Sequence, residues 1–356
     1  MSRNLHASRG WNRVSRRSPC PVCSKIDWCS VSTDGAVACC MRVESGRSLR
    51  NGGWLHRLTD EPSYPSPSIH HVNDTARLAP LDQRDLVYRG LVAELGLHAR
   101  HKDHLLHPRG LPIPALDGFA STPPWDLGRR RWIAGRIIGR LGNADVLHGV
   151  PGFYLDQGGQ WVCRATAPGI LVPVPDPAGN IQAFQVRIDC HGAAGPRYIW
   201  YSSRGKPGGI SPGAPVASWR PESTNDSQIF ITEGSLKAAV AAWCMGAYVI
   251  GVPGVSNWRR ALDLLSPKVA VTIAYDADAD TNPLVARQQL QLARALFWAG
   301  HRVAIATWDR RYKGIDDAIL AGLAINLNDW PGGYHAVPPR GEDALAAMAR
   351  HMEARQ

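Results

Sequence analysis

The spacing of apolar and polar positions changes several times along the chain. From Leu81 the residues Leu86, Val87, Leu91, Val92 and Leu95 recur at helical intervals, and residues 129–141 form a second helical stretch. Leu105 to Leu111, with Pro108, Arg109 and Gly110, ends another helix at a turn. Between 161 and 201 the period shortens to that of strands: 169–174 and 181–188 are joined by the turn Pro177-Ala178-Gly179-Asn180, and 197–201 follows. Beyond 228, short β-branched runs alternate with helical patterns. Strands are predicted at 229–232, 248–252, 269–275 and 301–307, and helices at 236–245, 257–265 and 284–299, the last with Val285, Leu292 and Leu296 on one stripe and Gly300 as its cap. Such alternation predicts an α/β fold with a mostly parallel sheet flanked by helices.

Two stretches lack any period. Residues 58–80 are rich in Pro, Ser and His and read as a mobile linker, and a Pro/Gly-rich tail from 326 ends in an amphipathic helix at 342–355. The expected division is therefore 1–57, linker 58–80, 81–225, 226–325 and tail 326–356.

Composition narrows the partners. The chain of 356 residues is 44% hydrophobic, enough for two or three domains, and its net charge of +10 points to an anionic partner, most often nucleic acid. It has no run of 18 apolar residues and no apolar segment behind the N-terminal arginines, so a cytoplasmic protein with no membrane span is expected. Neither a Walker A motif nor GxGxxG occurs, which argues against an ATP motor or a dinucleotide enzyme.

Five of the eight cysteines fall between Cys20 and Cys40, and in a reducing compartment such clusters read as metal ligands. Cys20-Pro-Val-Cys23 forms a knuckle able to place two thiolates on one Zn²⁺, and a hairpin turning at Gly35 brings up a second pair. Adjacent Cys39 and Cys40 point to opposite faces of a strand. The favoured set is Cys20, Cys23, Cys29 and Cys40, with Cys39 or His56 as substitutes. Lys25, Trp28, Arg42, Arg47, Arg50, Trp54, His56 and Arg57 surround the module. They suit a single strand through phosphate contacts and base stacking, although Trp28 and Trp54 also suit a small core.

The acids lie at strand ends. Ile229-Phe-Ile-Thr-Glu233-Gly234 ends one apolar run, and Val271-Thr-Ile-Ala-Tyr-Asp276-Ala-Asp278-Ala-Asp280 ends another. If the strand continues, Asp276 and Asp278 share a face, with Glu233 beside them on the neighbouring strand. Converging carboxylates repel unless a cation neutralises them, and hard oxygen ligands suit Mg²⁺. The plainer alternative is that these acids are solvated, or cap the next helix as Asp280, Thr281 or Asn282 before Pro283 would. Lys313-Gly-Ile-Asp316-Asp317 is placed to add a ligand or a cation. Arg129, Arg130, Arg131, Arg136 and Arg140 form either a solvated helix face or a phosphate-binding ridge.

Taken together, the strand-Glu-Gly and strand-Asp-x-Asp pattern resembles the TOPRIM domain shared by bacterial DnaG-type primases, type IA and II topoisomerases and some nucleases. A zinc ribbon ahead of the catalytic part, the turn at Arg109-Gly110-Leu111, and the run Gly169-Ile-Leu-Val-Pro-Val, Gly179, Phe184, Arg187, Arg197-Tyr198, Ser202-Ser203 look like the primases in particular. They match most closely the primase-like proteins of plasmids, phages and integrated elements. The resemblance implies a TOPRIM-type sheet preceded by a mixed α+β subdomain and a zinc ribbon. It also implies Mg²⁺ or Mn²⁺ on Glu233, Asp276 and Asp278, with Asp280 or Asp316-Asp317 contributing.

Arg187, Arg197, Arg204 and Lys206 would then contact template or nucleotide phosphates, with Lys237 and Lys313 as further nucleotide contacts. The implied activity is primer synthesis on single-stranded DNA from nucleoside triphosphates. Three features depart from the primase pattern. Lys237 stands where many primases carry an acid, the cysteine spacing differs from that of cellular primases, and no helicase-binding domain follows, so a helicase would be a separate chain. A TOPRIM nuclease and a non-catalytic single-strand-binding accessory are the alternatives.

Overall fold

The computed structural model describes residues 11–33, 35–45, 47, 49, 53–58, 77–190, 196–222 and 224–330; for Asn225, Asp226, Asp278 and Asp280 it describes the backbone alone. The expected linker, apart from its two ends, and the expected helix at 342–355 lie outside the described residues. Two compact units are present. One runs to His101 and includes Gly118–Pro173 and Asn180–Ala214; the other comprises Lys102–Asp117, Val174–Gly179 and the chain from Pro215.

The first unit begins with a four-stranded antiparallel sheet, β1 (Trp11–Arg13), β2 (Ser30–Ser32), β3 (Val37–Cys40) and β4 (Trp54–Arg57), paired in that order. Helices α1 (Leu81–Leu95), α2 (Ala99–Leu106, which crosses into the second unit) and α3 (Leu127–Leu141) follow, together with β5 (Ala120–Ser121) and the hairpin β6 (Phe153–Leu155) and β7 (Trp161–Cys163). Strands β8 (Gly169–Pro175), β9 (Ile181–Ile188) and β10 (Tyr198–Trp200) complete a sheet of order β10-β9-β8-β5. Its core packs Val87, Tyr88 and Leu91 of α1 and Ile133 and Ile137 of α3 against Phe184 and Tyr201. Ala79, at the end of the expected linker, is buried, and its amide donates to Gly149 O at 2.9 Å.

The second unit holds the α/β sheet. In chain order it contains β11 (Ala217–Trp219), β12 (Asn225–Glu233), α4 (Ser235–Met245), β13 (Ala247–Val252), α5 (Arg259–Leu262), β14 (Ala270–Ile273), α6 (Pro283–Trp298), β15 (Arg302–Thr307), α7 (Ile315–Leu320) and β16 (Asn326–Asp329). The strand order is β11-β13-β12-β14-β15-β16, with the four central strands parallel and both borders antiparallel. This is the expected α/β architecture, a mostly parallel sheet flanked by helices. The chain leaves β12 towards β13 on one side and then crosses to β14 on the other, so the sheet's topological switch point lies between β12 and β14. Ligands bind at such points, at the carboxyl ends of the strands.

Apolar strands buried on both faces drive the arrangement: Ile229, Ile231, Ile250, Val252, Val271 and Ile273 pack with Leu292 and Leu296 of α6. Asn282 caps α6 by accepting from Leu284 N at 3.2 Å, with Pro283 at its first position. The helix expected at 257–265 is a single turn, α5. Among the described residues no helix is long and apolar enough to cross a membrane.

Candidate functional site: a four-cysteine centre and an acidic sheet edge

Cys20 and Cys23 sit on a tight knuckle. Ser24 N donates to Cys20 O, Cys20 N donates to Lys25 O, both at 2.8 Å, and Ser24 takes a positive φ of 55°. Cys29 precedes β2 and Cys40 ends β3, which brings the ligand atoms of all four within 4.8 Å of one another. Cys23 Sγ and Cys29 Sγ are 3.7 Å apart, and Cys29 Sγ and Cys40 Sγ 3.9 Å. Thiolates at about 2.3 Å from a tetrahedral Zn²⁺ stand about 3.8 Å from one another, so this donor set fits the ion. The amides of Met41, Arg42 and Val43 point at the sulfurs of Cys29 and Cys40 at 3.2–3.4 Å, an arrangement that favours the thiolate forms.

Cys39 does not join the group, and His56 Nε2 lies 2.9 Å from Val43 O, so the geometry selects Cys40 over both substitutes. Trp54 is buried at 7% exposure, whereas Trp28 is 40% exposed, which separates a core tryptophan from one open to stacking. Arg42 is engaged with Asp27 at 2.5 Å, and Lys25, Arg47 and Arg57 are exposed. Arg50 lies outside the described residues.

The acidic edge is built by the switch point. β12 ends at Glu233, and Gly234 turns into α4 with a φ of +85° that a side chain rarely adopts. The Gly234 amide donates to Val252 O at 2.7 Å, which ties the Glu-Gly turn to β13. β14 ends at Ile273, and Ala274 N still donates to Ile231 O at 2.8 Å, holding Tyr275 and Asp276 beside the end of β12.

The expectation that Asp276 and Asp278 share a strand face is not met. Asp276 follows the strand, and Ala277–Asp280 is a 3₁₀ turn, with Ala277 N donating to Lys313 O at 2.9 Å and Ala279 N to Asp276 O at 3.2 Å. These amides bond to a loop and within the turn rather than to a neighbouring strand, so the two-residue alternation does not apply. The side chains of Asp278 and Asp280 lie outside the described residues.

The described acids surround a lysine. Lys237 Nζ donates to Asp276 Oδ1, and Lys313 Nζ is 3.6 Å from Asp276 Oδ2. Burial works against the Lys237 charge, yet Asp276, Glu233 and Asp316 together hold its pKa above the usual lysine value. Asp316 is 1% exposed; burial raises its carboxyl pKa and Asp317 adds to this, while Lys237 and Arg109 oppose the rise. Arg109 Nη1 contacts Asp316 Oδ2 at 2.8 Å and Asp317 Oδ1 at 3.6 Å. Asp316 Oδ1 is buried with no hydrogen-bond partner.

These oxygens are of the hard type that Mg²⁺ prefers, and the orphaned Asp316 oxygen has capacity to accept, so the donor chemistry fits a divalent ion. Both oxygens of Asp276, however, already face ammonium groups. The bond between Lys237 and Asp276 and the role of Arg109 were not read from sequence, because the partners are far apart along the chain.

The expected phosphate-binding residues Arg187, Arg197, Arg204 and Lys206 belong to the first unit. Arg187 is on β9 opposite Tyr198, Arg197 is exposed beside β10, and Arg204 and Lys206 are exposed in the following loop. Lys206 Nζ lies 5.9 Å from the centre of the Tyr154 ring. The α3 arginines are largely committed to the protein. Arg130 donates to Cys163 O, Arg131 pairs with Asp156, Arg136 and Arg140 pair with Glu94, and Arg129 stacks on Trp132. Partnered in this way, they form a helix face tied to its own unit.

Residues 219–324 match the family described as Domain of unknown function (DUF3854). No curated protein sequence matches the chain. Among solved structures, the Aquifex aeolicus primase, comprising zinc-binding and RNA polymerase domains, aligns at 15% identity and TM-score 0.45, over 70% of this chain and 63% of that one. The RNA polymerase domain of Mycobacterium tuberculosis primase DnaG aligns at 14% identity and TM-score 0.46, over 76% of this chain and 98% of that one. A DnaG primase catalytic domain bound to ssDNA aligns at 16% identity and TM-score 0.42, over 68% and 83%. The chain thus spans less than two thirds of the Aquifex structure.

Proposed function

We propose that the chain is a DNA primase that synthesises short primers on single-stranded DNA, in the cytoplasm, for the replication of a mobile element. The observation that carries this reading is that Glu233 ends β12 and Asp276 follows the end of β14, at the switch point of a mostly parallel sheet. The four-cysteine centre in the same chain favours a primase over a TOPRIM nuclease, since a ribbon with an exposed Trp28 suits recognition of a single-stranded template. In this reading residues 1–57 form the zinc ribbon, 58–80 the linker, 81–225 the basic subdomain, 226–325 the catalytic domain and 326–356 a tail.

Cys20, Cys23, Cys29 and Cys40 would hold a structural Zn²⁺. Glu233, Asp276 and Asp278 would hold Mg²⁺ or Mn²⁺, with Asp280 as a further acid; the chemistry supplied there would be a lowered pKa for an attacking 3′-hydroxyl and neutralised charge on the nucleotide phosphates. The protein's own part is positioning. Arg187, Arg197, Arg204 and Lys206 would bind phosphates of template or nucleotide, and Lys237 and Lys313 would neutralise charge beside Asp276. A replicative helicase would be a separate chain.

One observation favours the non-catalytic alternative. The ion pairs of Lys237 and Lys313 with Asp276 neutralise that carboxylate without a metal, as a single-strand-binding accessory would allow.

Primer synthesis on a mixed-sequence circular single-stranded DNA, with labelled nucleotides and Mg²⁺, separates these readings. The primase reading expects short labelled products from the wild type and none from Asp276→Ala/Asp278→Ala. Template shortening without new product would instead establish the nuclease, and DNA binding with neither activity the accessory.

A further inference from the structure

Lys237 projects from the first turn of α4 between Leu236 and Ala238, which are buried at 1% and 0% exposure, so core packing fixes its backbone. Its stem passes Gly314. A Cβ there would stand 3.2 Å from Lys237 Cε and 2.2 Å from Asp316 Oδ1, and the glycine leaves room for both. The Lys237 ammonium then meets Asp276 Oδ1, within the electrostatic reach of Glu233 and Asp316. Beside it lies the buried Asp316 Oδ1, which has no hydrogen-bond partner. The carboxylates suited to a divalent cation are therefore arranged around a cation that the fold supplies.

We propose that Lys237 is a resident counter-ion that competes with divalent cations for Asp276, so that metal entry at the acidic edge requires the Lys237 ammonium to leave. The inference rests on the reading of this edge as a metal site. Its physical basis is direct. A carboxylate oxygen bonded to an ammonium group is a poorer metal ligand, and a fixed positive charge beside the site repels an incoming divalent ion. The side chain remains 25% exposed, and its four-carbon stem lets the displaced ammonium turn to another anion, such as a nucleotide phosphate. A cation that arrives bound to a nucleotide is thus admitted more readily than a free one.

The test is Mn²⁺ binding to the full-length, zinc-loaded protein, read from the electron paramagnetic resonance signal of the free ion. Lys237→Met removes the charge while keeping apolar bulk, and Lys237→Arg keeps the charge. Without nucleotide, the methionine variant is expected to bind Mn²⁺ about tenfold more tightly than the wild type, with the arginine variant close to the wild type. Lys237→Gln repeats the comparison if methionine disturbs folding, which circular dichroism would show. Equal affinities for the wild type and the uncharged variants would overturn the competition while leaving the metal site standing. Failure of every folded variant and the wild type to bind Mn²⁺ would overturn the metal site and this inference with it.

Discussion

Arg109 and Asp316 are 207 positions apart in the chain, yet Arg109 Nη1 lies 2.8 Å from Asp316 Oδ2, with the two side chains 12% and 1% exposed. Removing one member of a buried pair leaves the other charge uncompensated. Arg109→Ala is therefore expected to cost about 3–5 kcal/mol, and replacing both residues by leucine considerably less. Denaturant unfolding of the two variants and the wild type measures the difference.

The cysteine centre distinguishes two neighbours in sequence. Cys40→Ser is expected to abolish stoichiometric zinc, whereas Cys39→Ser, altering a sulfur outside the cluster, leaves one zinc per chain. Metal content by atomic absorption checks this. Chelation of the wild type is expected to unfold the ribbon, because a structural ion supplies much of such a module's folding free energy.

A buried histidine sets a pH response in the first unit. His101 Nδ1 lies 2.8 Å from Ser121 Oγ and Nε2 lies 3.1 Å from Asp189 Oδ2; burial lowers its pKa below the ordinary 6.5, with Asp189 partly opposing. The unfolded chain then binds a proton at a higher pH than the folded one. This contribution to stability is present above about pH 6.5 and is lost as pH falls towards the depressed value. The His101→Gln variant is expected to lose less stability than the wild type between pH 7 and pH 5, roughly spanning that histidine transition, in thermal melts followed at each pH.

Gly251 on β13 faces the Glu-Gly turn. A Cβ there would stand 2.6 Å from Gly234 O and 2.9 Å from Ala238 Cβ, so Gly251→Ala is expected to destabilise by about 1–3 kcal/mol. It would also displace Glu233, so under the proposed primase function primer synthesis should fall more than stability alone explains, as parallel melts and priming assays would show.

The central strands were legible because burial on both faces makes Ile229-Phe-Ile and Val271-Thr-Ile-Ala nearly continuous apolar runs. β16, Asn326-Leu-Asn-Asp, was not, because a border strand carries no such run. The places of Glu233 and Asp276 near strand ends are legible from the apolar runs that precede them. Their partners are not, since the 39 positions between Lys237 and Asp276, like the 207 between Arg109 and Asp316, are closed only by the tertiary fold. The offset of Asp276 beyond the strand likewise depends on a bond to Lys313 O that local spacing does not encode.

The antiparallel borders of the α/β sheet have a consequence for association between molecules. A parallel sheet that ended on a long apolar strand would offer a template for another chain's backbone. Among the described residues the sheet ends instead on β11, three residues long, and on β16, four residues bearing two asparagines and an aspartate. Such borders discourage growth by strand addition, so copies of a chain with net charge +10 can crowd against an anionic surface without their sheets joining.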